Sequence, residues 1–142
     1  LVANAGSPYG FYFFMSDIKR KENRIAVYNK CNGRCAYCGC EINGNGYYGF
    51  TIDHIIPRRR YKNRSITDEK SGSNELSNLL PCCASCNSCK SDLSIEEFRE
   101  RIYDRMYRIN NYSSEYKIAK RFGLVVETNK PVIFYFETLN NG

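Results

Sequence analysis

Two kinds of chemistry are written into the residue types of this chain. The first is metal binding by thiolates. Eight cysteines fall into two clusters: Cys31, Cys35, Cys38 and Cys40, then Cys82, Cys83, Cys86 and Cys89. The first cluster contains one C-x-x-C, Cys35/Cys38. The second contains two that overlap, Cys83/Cys86 and Cys86/Cys89. A C-x-x-C turn aims two thiolates at one ion, and two such knuckles complete a tetrahedral four-sulfur zinc site. An even cysteine count also allows a disulfide framework, but nothing marks the chain as secreted. With one histidine available, the expected site is all-cysteine. Spacing alone leaves Cys83/Cys86 and Cys86/Cys89 both open as the second knuckle.

The second kind is proton transfer. The single histidine, His54, follows Asp53 at the end of an apolar, partly β-branched run, Phe50 to Ile52. Such a run reads as a short strand, and Pro57 ends regular pairing. Neighbouring residues on a strand point to opposite faces, so Asp53 and His54 are expected to do different work. One can hold a metal while the other handles a proton. An isolated Asp-His pair at a strand end is as readily a satisfied polar pair; the flanking cysteines favour chemistry.

The elements that must position these residues follow from local signals. Ser16 or Asp17 can cap a helix to about Asn29, and Asn32-Gly33 is a turn before the first knuckle. Gly44-Asn45-Gly46 makes a tight loop, and Tyr47 to Asp53 reads as a strand. Residues 58–76 are polar and basic, a long loop. Asn78-Leu79-Leu80-Pro81 is a second extended piece, leading into a short helix that begins at the second knuckle. Ser94 with Glu97 forms a capping box for a helix to about Ile109, with Phe98, Ile102 and Met106 on one face. Ser113 or Ser114 caps a third helix that Gly123 stops. Val132 to Phe136 reads as a C-terminal strand.

At 142 residues the chain is long enough for one modest core. Lys plus Arg number 21 against 15 acidic residues, a net charge of +6, which suits a nucleic-acid partner. Lys19, Arg20, Lys21 and Arg24 read as a solvated face. Arg58, Arg59, Arg60, Lys62 and Arg64 begin just after His54 and read as phosphate contacts. Twelve Tyr and eight Phe single out no base-stacking platform. No apolar run approaches the ~20 residues of a membrane span, and no signal peptide is evident. The first Met is Met15, and Met15-Ser16-Asp17 resembles a natural start. Leu1 to Phe14 would then be a non-native leader or the tail of an upstream region.

In order, Cys35-x-x-Cys38, Asp53-His54-Ile55-Ile56-Pro57, Asn78-Leu79, Cys83-x-x-Cys86-Asn87 and Lys90 resemble the HNH nuclease family in its zinc-knuckled ββα-metal form. The resemblance covers about residues 29–92. It implies an α+β fold with a ββα-metal (His-Me finger) core, flanking helices and the C-terminal strand. Residues 1–28 would be an N-terminal extension and helix, 29–92 the nuclease core, and 93–142 a segment packed on it. It selects Cys35, Cys38, Cys83 and Cys86 as structural zinc ligands, leaving Cys31, Cys40, Cys82 and Cys89 as buried thiols. It makes His54 the general base and Asp53 a ligand of the catalytic metal. Asn78 becomes the residue that orients the histidine or braces its loop, and Asn87 the second metal ligand. An H-N-N set of this kind favours Mg²⁺ or Mn²⁺. The implied activity is DNA endonuclease, leaving 5′-phosphate and 3′-hydroxyl ends. Its setting would be the cytoplasm of a bacterial cell or phage-infected host. A homodimer or a phage or bacterial partner protein is compatible with it. Lys90 is either a phosphate contact or a surface helix lysine. The main alternative is a zinc-stapled DNA-binding module that does not cut.

Overall fold

The computed structural model describes residues 22–43, 50–58, 61–62, 65–66 and 71–139, with the backbone alone at 61–62 and 65–66. The Ser16/Asp17 cap and the Gly44-Asn45-Gly46 loop lie outside these residues. Helix α1 covers residues 22–29. Strand β1 is Thr51–His54, and β2 (Tyr61–Lys62) and β3 (Ser65–Ile66) pair antiparallel within the basic stretch. A 3₁₀ turn, Leu76–Asn78, feeds β4, Leu79–Cys82. Four helices follow: α2 (Ala84–Lys90), α3 (Ile95–Tyr112), α4 (Ser114–Arg121) and α5 (Tyr135–Leu139).

β1 and β4 pair antiparallel, with Asp53 opposite Leu80 and His54 opposite Leu79. Relative to the expected Tyr47–Asp53, the observed strand ends one residue later and takes in His54. Residues 44–49 lie outside the described set. Proline lacks an N–H for a ladder, yet Pro81 lies within β4. Its carbonyl accepts the Ala36 N–H at 2.8 Å, so it serves to dock the first knuckle on the sheet. Just after α1, Lys30 bonds the carbonyls of Leu76 and Leu79, the latter at 3.0 Å, and so fixes the entry to β4.

The core is built around Tyr37, in the first knuckle. Its ring meets Phe98 of α3 edge-on at 5.2 Å and Phe134 at 5.3 Å, while Phe98 and Phe134 stack at 5.2 Å. Val27, Cys31, Phe50, Leu79, Leu80 and Cys82 continue the same cluster. α3 opens with the expected Ser94/Glu97 capping box, and Ser113 caps α4. Gly123 takes a φ of +70° after α4, the left-handed stop that glycine favours. Along α3, Phe98 is buried, Ile102 is half-buried and Met106 is exposed, so the helix runs out beyond the core it started on.

The C-terminal strand expected at Val132–Phe136 does not form. Residues 131–134 have no ladder, and Tyr135–Leu139 is helical. The reason is local competition for the backbone. The Glu137 carboxylate accepts the Phe134 N–H at 2.8 Å, a cap that starts a helix. The Tyr135 and Phe136 N–H groups bond the Tyr37 and Ala36 carbonyls at 3.1 and 2.8 Å, leaving no strand edge to complete. Arg99 secures the turn: its guanidinium bonds Glu137 at 2.6 Å and Glu96 at 3.0 Å and lies 4.6 Å over the Phe134 ring. Burial alone would raise the Glu137 carboxyl, but the Arg99 bonds carry it below its ordinary value.

Phe98→Ala should therefore lower stability by about 3–5 kcal/mol, since it removes the ring shared by Tyr37 and Phe134. Urea unfolding of the metal-loaded protein measures this; a loss under about 1 kcal/mol would mean the aromatic cluster is not the core.

Candidate metal centre and active site

The two knuckles meet. The sulfurs of Cys35, Cys38, Cys83 and Cys86 all lie within 4.8 Å of one another. Cys38 and Cys83 are 3.9 Å apart across the join. Four thiolates around one zinc, each at about 2.3 Å, stand about 3.8 Å from each other, so the set fits that ion. Each knuckle is shaped by its own backbone. The Cys35 N–H bonds the Cys40 carbonyl, and the Gly39 N–H bonds the Cys35 carbonyl, both at 2.9 Å. Cys83 caps α2 and accepts the Cys86 N–H on its sulfur at 3.4 Å.

Hydrogen bonds from Cys82 and Cys86 hold the Cys35 thiol far below its ordinary range, and the contact with Cys35 pushes Cys86 far above it. Cys89 is outside the group of four. The expectation that the remaining cysteines are buried holds for Cys31 and Cys82; Cys40 is exposed and Cys89 half-buried.

The second knuckle leads straight to the Asp-His strand. α2 ends in Lys90, which is fully buried rather than on the surface. Its ammonium pairs with Asp53 Oδ2 at 2.9 Å and donates to the His54 carbonyl at 2.7 Å. Neither expected role, a phosphate contact or a surface helix lysine, describes it. The physical reason is that a buried carboxylate needs a counter-charge, and Asp53 is itself 6% exposed. The Tyr37 hydroxyl also donates to Asp53 Oδ2. Burial first, and then the Asp53 charge, push the Tyr37 hydroxyl far above its usual range, so it stays a donor.

The alternation of the strand separates the pair as expected. Asp53 faces inward and His54 is half-exposed. His54 Nε2 lies 3.0 Å from Asn74 Oδ1. Asn78 is buried, and its amide is bonded entirely to backbone. Oδ1 accepts the Ile56 N–H at 2.8 Å, while Nδ2 donates to the Ile56 carbonyl at 3.1 Å and the Ser73 carbonyl at 2.8 Å. Asn78 thus clamps the loop that leaves His54, and its side chain does not reach the imidazole. Asn87 lies half-buried in α2 between Cys86 and Lys90.

Arg58 is exposed beyond His54. Lys62 is described only as backbone, in β2, and Arg59, Arg60 and Arg64 lie outside the described residues.

Three residues of the site carried no sequence signal strong enough to find them. Tyr37 is one of the two unassigned positions inside C-x-x-C. Asn74 is a polar loop residue among others. Gly72 sits where a side chain has no room: a Cβ there would lie 1.7 Å from the Ile56 carbonyl oxygen and 2.8 Å from Asn78 Nδ2. Its N–H bonds the Pro57 carbonyl at 2.9 Å, which brings loop 71–75 against the strand end.

Residues 35–93 match the model of the HNH endonuclease family. The chain is also 29% identical over 120 residues to "SPbeta prophage-derived putative HNH endonuclease YoqL" of Bacillus subtilis (strain 168). That match covers 75% of this chain and 48% of the relative, so the chain spans about half the length of the curated protein it resembles. No solved structure matches the chain. Among the described residues, no helix is long and apolar enough to cross a membrane.

Gly72→Ala should force the Ile56 loop and the Asn78 clamp apart, costing about 1–3 kcal/mol as an overpacked backbone contact. Chemical denaturation beside a zinc assay checks this. The expected result is lowered stability with zinc content unchanged, because the cysteine site is not touched.

Proposed function

With an HNH endonuclease-family domain at residues 35–93, this chain is, we propose, a metal-dependent DNA endonuclease. It hydrolyses phosphodiester bonds and leaves 5′-phosphate and 3′-hydroxyl ends. One observation carries the reading. The Asp53–His54 pair is held from both sides, by the Asn78 clamp on the loop beyond it and by Lys90 from the knuckle helix behind it. A pair that served only to satisfy a strand end would not need a buried lysine and a buried asparagine to fix its backbone.

The residues divide the work. A neutral His54 that donates through Nε2 to Asn74 presents the lone pair of Nδ1, which can take a proton from the attacking water. Asn74 thereby sets the tautomer, and Asn78 keeps the histidine's loop from drifting. Asp53 and Asn87 offer the oxygen donors for Mg²⁺ or Mn²⁺, and Asn87 is one residue from a zinc-ligand cysteine, so the knuckle orders both metal sites. When bound, the divalent ion neutralises charge that develops on the scissile phosphate and the departing oxygen. Arg58, with Arg59, Arg60, Lys62 and Arg64, supplies cations for flanking phosphates. Lys90 is not among them. Cys35, Cys38, Cys83 and Cys86 hold structural zinc.

Supercoiled plasmid is the direct test. With Mg²⁺ or Mn²⁺ the protein should convert it to open circles or linear DNA, and EDTA should stop the reaction. His54→Ala should slow it by about 10²–10⁴-fold, the usual contribution of a general base, with folding and DNA binding retained. Intact plasmid with shifted gel mobility would instead favour a zinc-stapled module that binds without cutting.

Zinc content is the second test. Protein purified without added metal should carry a single zinc per chain. Cys83→Ser should lose that zinc and the cooperative unfolding transition together, because metal binding in such sites is folding energy. A zinc-loaded, cooperatively folded Cys83→Ser protein would remove Cys83 from the site.

A further inference from the structure

Asp53 is reached by two donors, and both go to the same oxygen. The Tyr37 hydroxyl and the Lys90 ammonium each bond Oδ2, and among the described residues Oδ1 has no partner. Neither donor can easily turn away. Tyr37 is packed edge-on against Phe98 and Phe134, and Lys90 is fully enclosed, with its ammonium also tied to the His54 carbonyl at 2.7 Å. The carboxylate is therefore held with one face turned to the protein and one oxygen uncommitted.

This bears on which cation the site accepts. Ca²⁺ takes six to eight oxygens at about 2.3–2.6 Å and often uses a carboxylate through both oxygens; Mg²⁺ requires a near-ideal octahedron at about 2.0–2.1 Å. Two-oxygen coordination by Asp53 would need lone pairs of Oδ2 that already accept two hydrogen bonds. It would also bring a dication toward the Lys90 ammonium. We propose that Tyr37 and Lys90 are positioning residues that confine Asp53 to one-oxygen coordination of the catalytic ion, so that the site discriminates against Ca²⁺. The inference rests on the reading of Asp53 as a ligand of that ion.

The test is a binding measurement on the zinc-loaded protein, followed by the electron paramagnetic resonance signal of free Mn²⁺ as Ca²⁺ is added in competition. Wild-type protein should hold Mn²⁺ at least about tenfold more tightly than Ca²⁺. Tyr37→Phe keeps the ring packing and removes one donor from Oδ2. In that variant Ca²⁺ should displace Mn²⁺ at a concentration about tenfold lower, a difference of about 1.4 kcal/mol. A purely structural role for the tyrosine would weaken both ions alike and leave the ratio unmoved. Equal affinity of wild-type protein for the two ions, or the same ratio in both proteins, would overturn the proposal while leaving Asp53 a ligand. Mn²⁺ binding by neither protein, or binding that persists in Asp53→Asn, would instead overturn the ligand reading, and the proposal with it.

Discussion

The pairing of Lys90 with Asp53 is the contact on which the rest of the site depends. Both groups are out of water, and a charge buried alone would cost several kcal/mol. Neither can therefore move without the other. The pair joins the last turn of the second knuckle helix to the middle of β1, and the same ammonium reaches the His54 carbonyl. The cysteines set where α2 begins, Lys90 sets where it ends against the strand, and the strand sets where Asp53 and His54 point. A displacement at the knuckle is thus passed to the histidine through one helix of two turns.

Such a construction suits a small core. A two-stranded sheet has little independent stability, and β1 and β4 are four residues each. The folding free energy has to come from elsewhere. Part is aromatic: Tyr37, Phe98 and Phe134 fill the space between first knuckle, α3 and C-terminal turn. Part would be supplied by an ion held between the four converging thiols. Tyr37 belongs to both systems, since it lies between Cys35 and Cys38 and bonds Asp53 with its hydroxyl. Core packing, metal centre and candidate active site are therefore not separable layers of this molecule.

α3 and α4 behave differently. α3 is anchored where Arg101 bonds the Cys89 carbonyl at 2.9 Å and Phe98 enters the core. Farther along, Tyr103, Tyr107 and Tyr112 are exposed, as are Ile118 and Phe122 beyond them. The capping signals that define these helices are local and were legible: Ser94 with Glu97, Ser113, and Gly123. What those helices pack against was not, because an apolar residue at helical spacing reads the same whether its face meets a core or only solvent.

The same division runs through the whole chain. Short-range chemistry was decided by the sequence. C-x-x-C spacing forces paired thiols, a capping box starts a helix, and adjacent residues on a strand diverge, which put Asp53 inward and His54 outward. Tertiary structure decided everything that depends on partners distant along the chain. The Val132–Phe136 run has strand-forming residues, but its N–H groups found the Tyr37 and Ala36 carbonyls and the Glu137 carboxylate before any strand edge. Lys90 carries a residue type that is almost always exposed, yet the buried Asp53 carboxylate drew it inside. Gly72 is one glycine among ten until Ile56 is folded against it. Propensity acts over a few residues, whereas burial, ion pairing and close backbone approach are set by whichever segment the fold brings alongside.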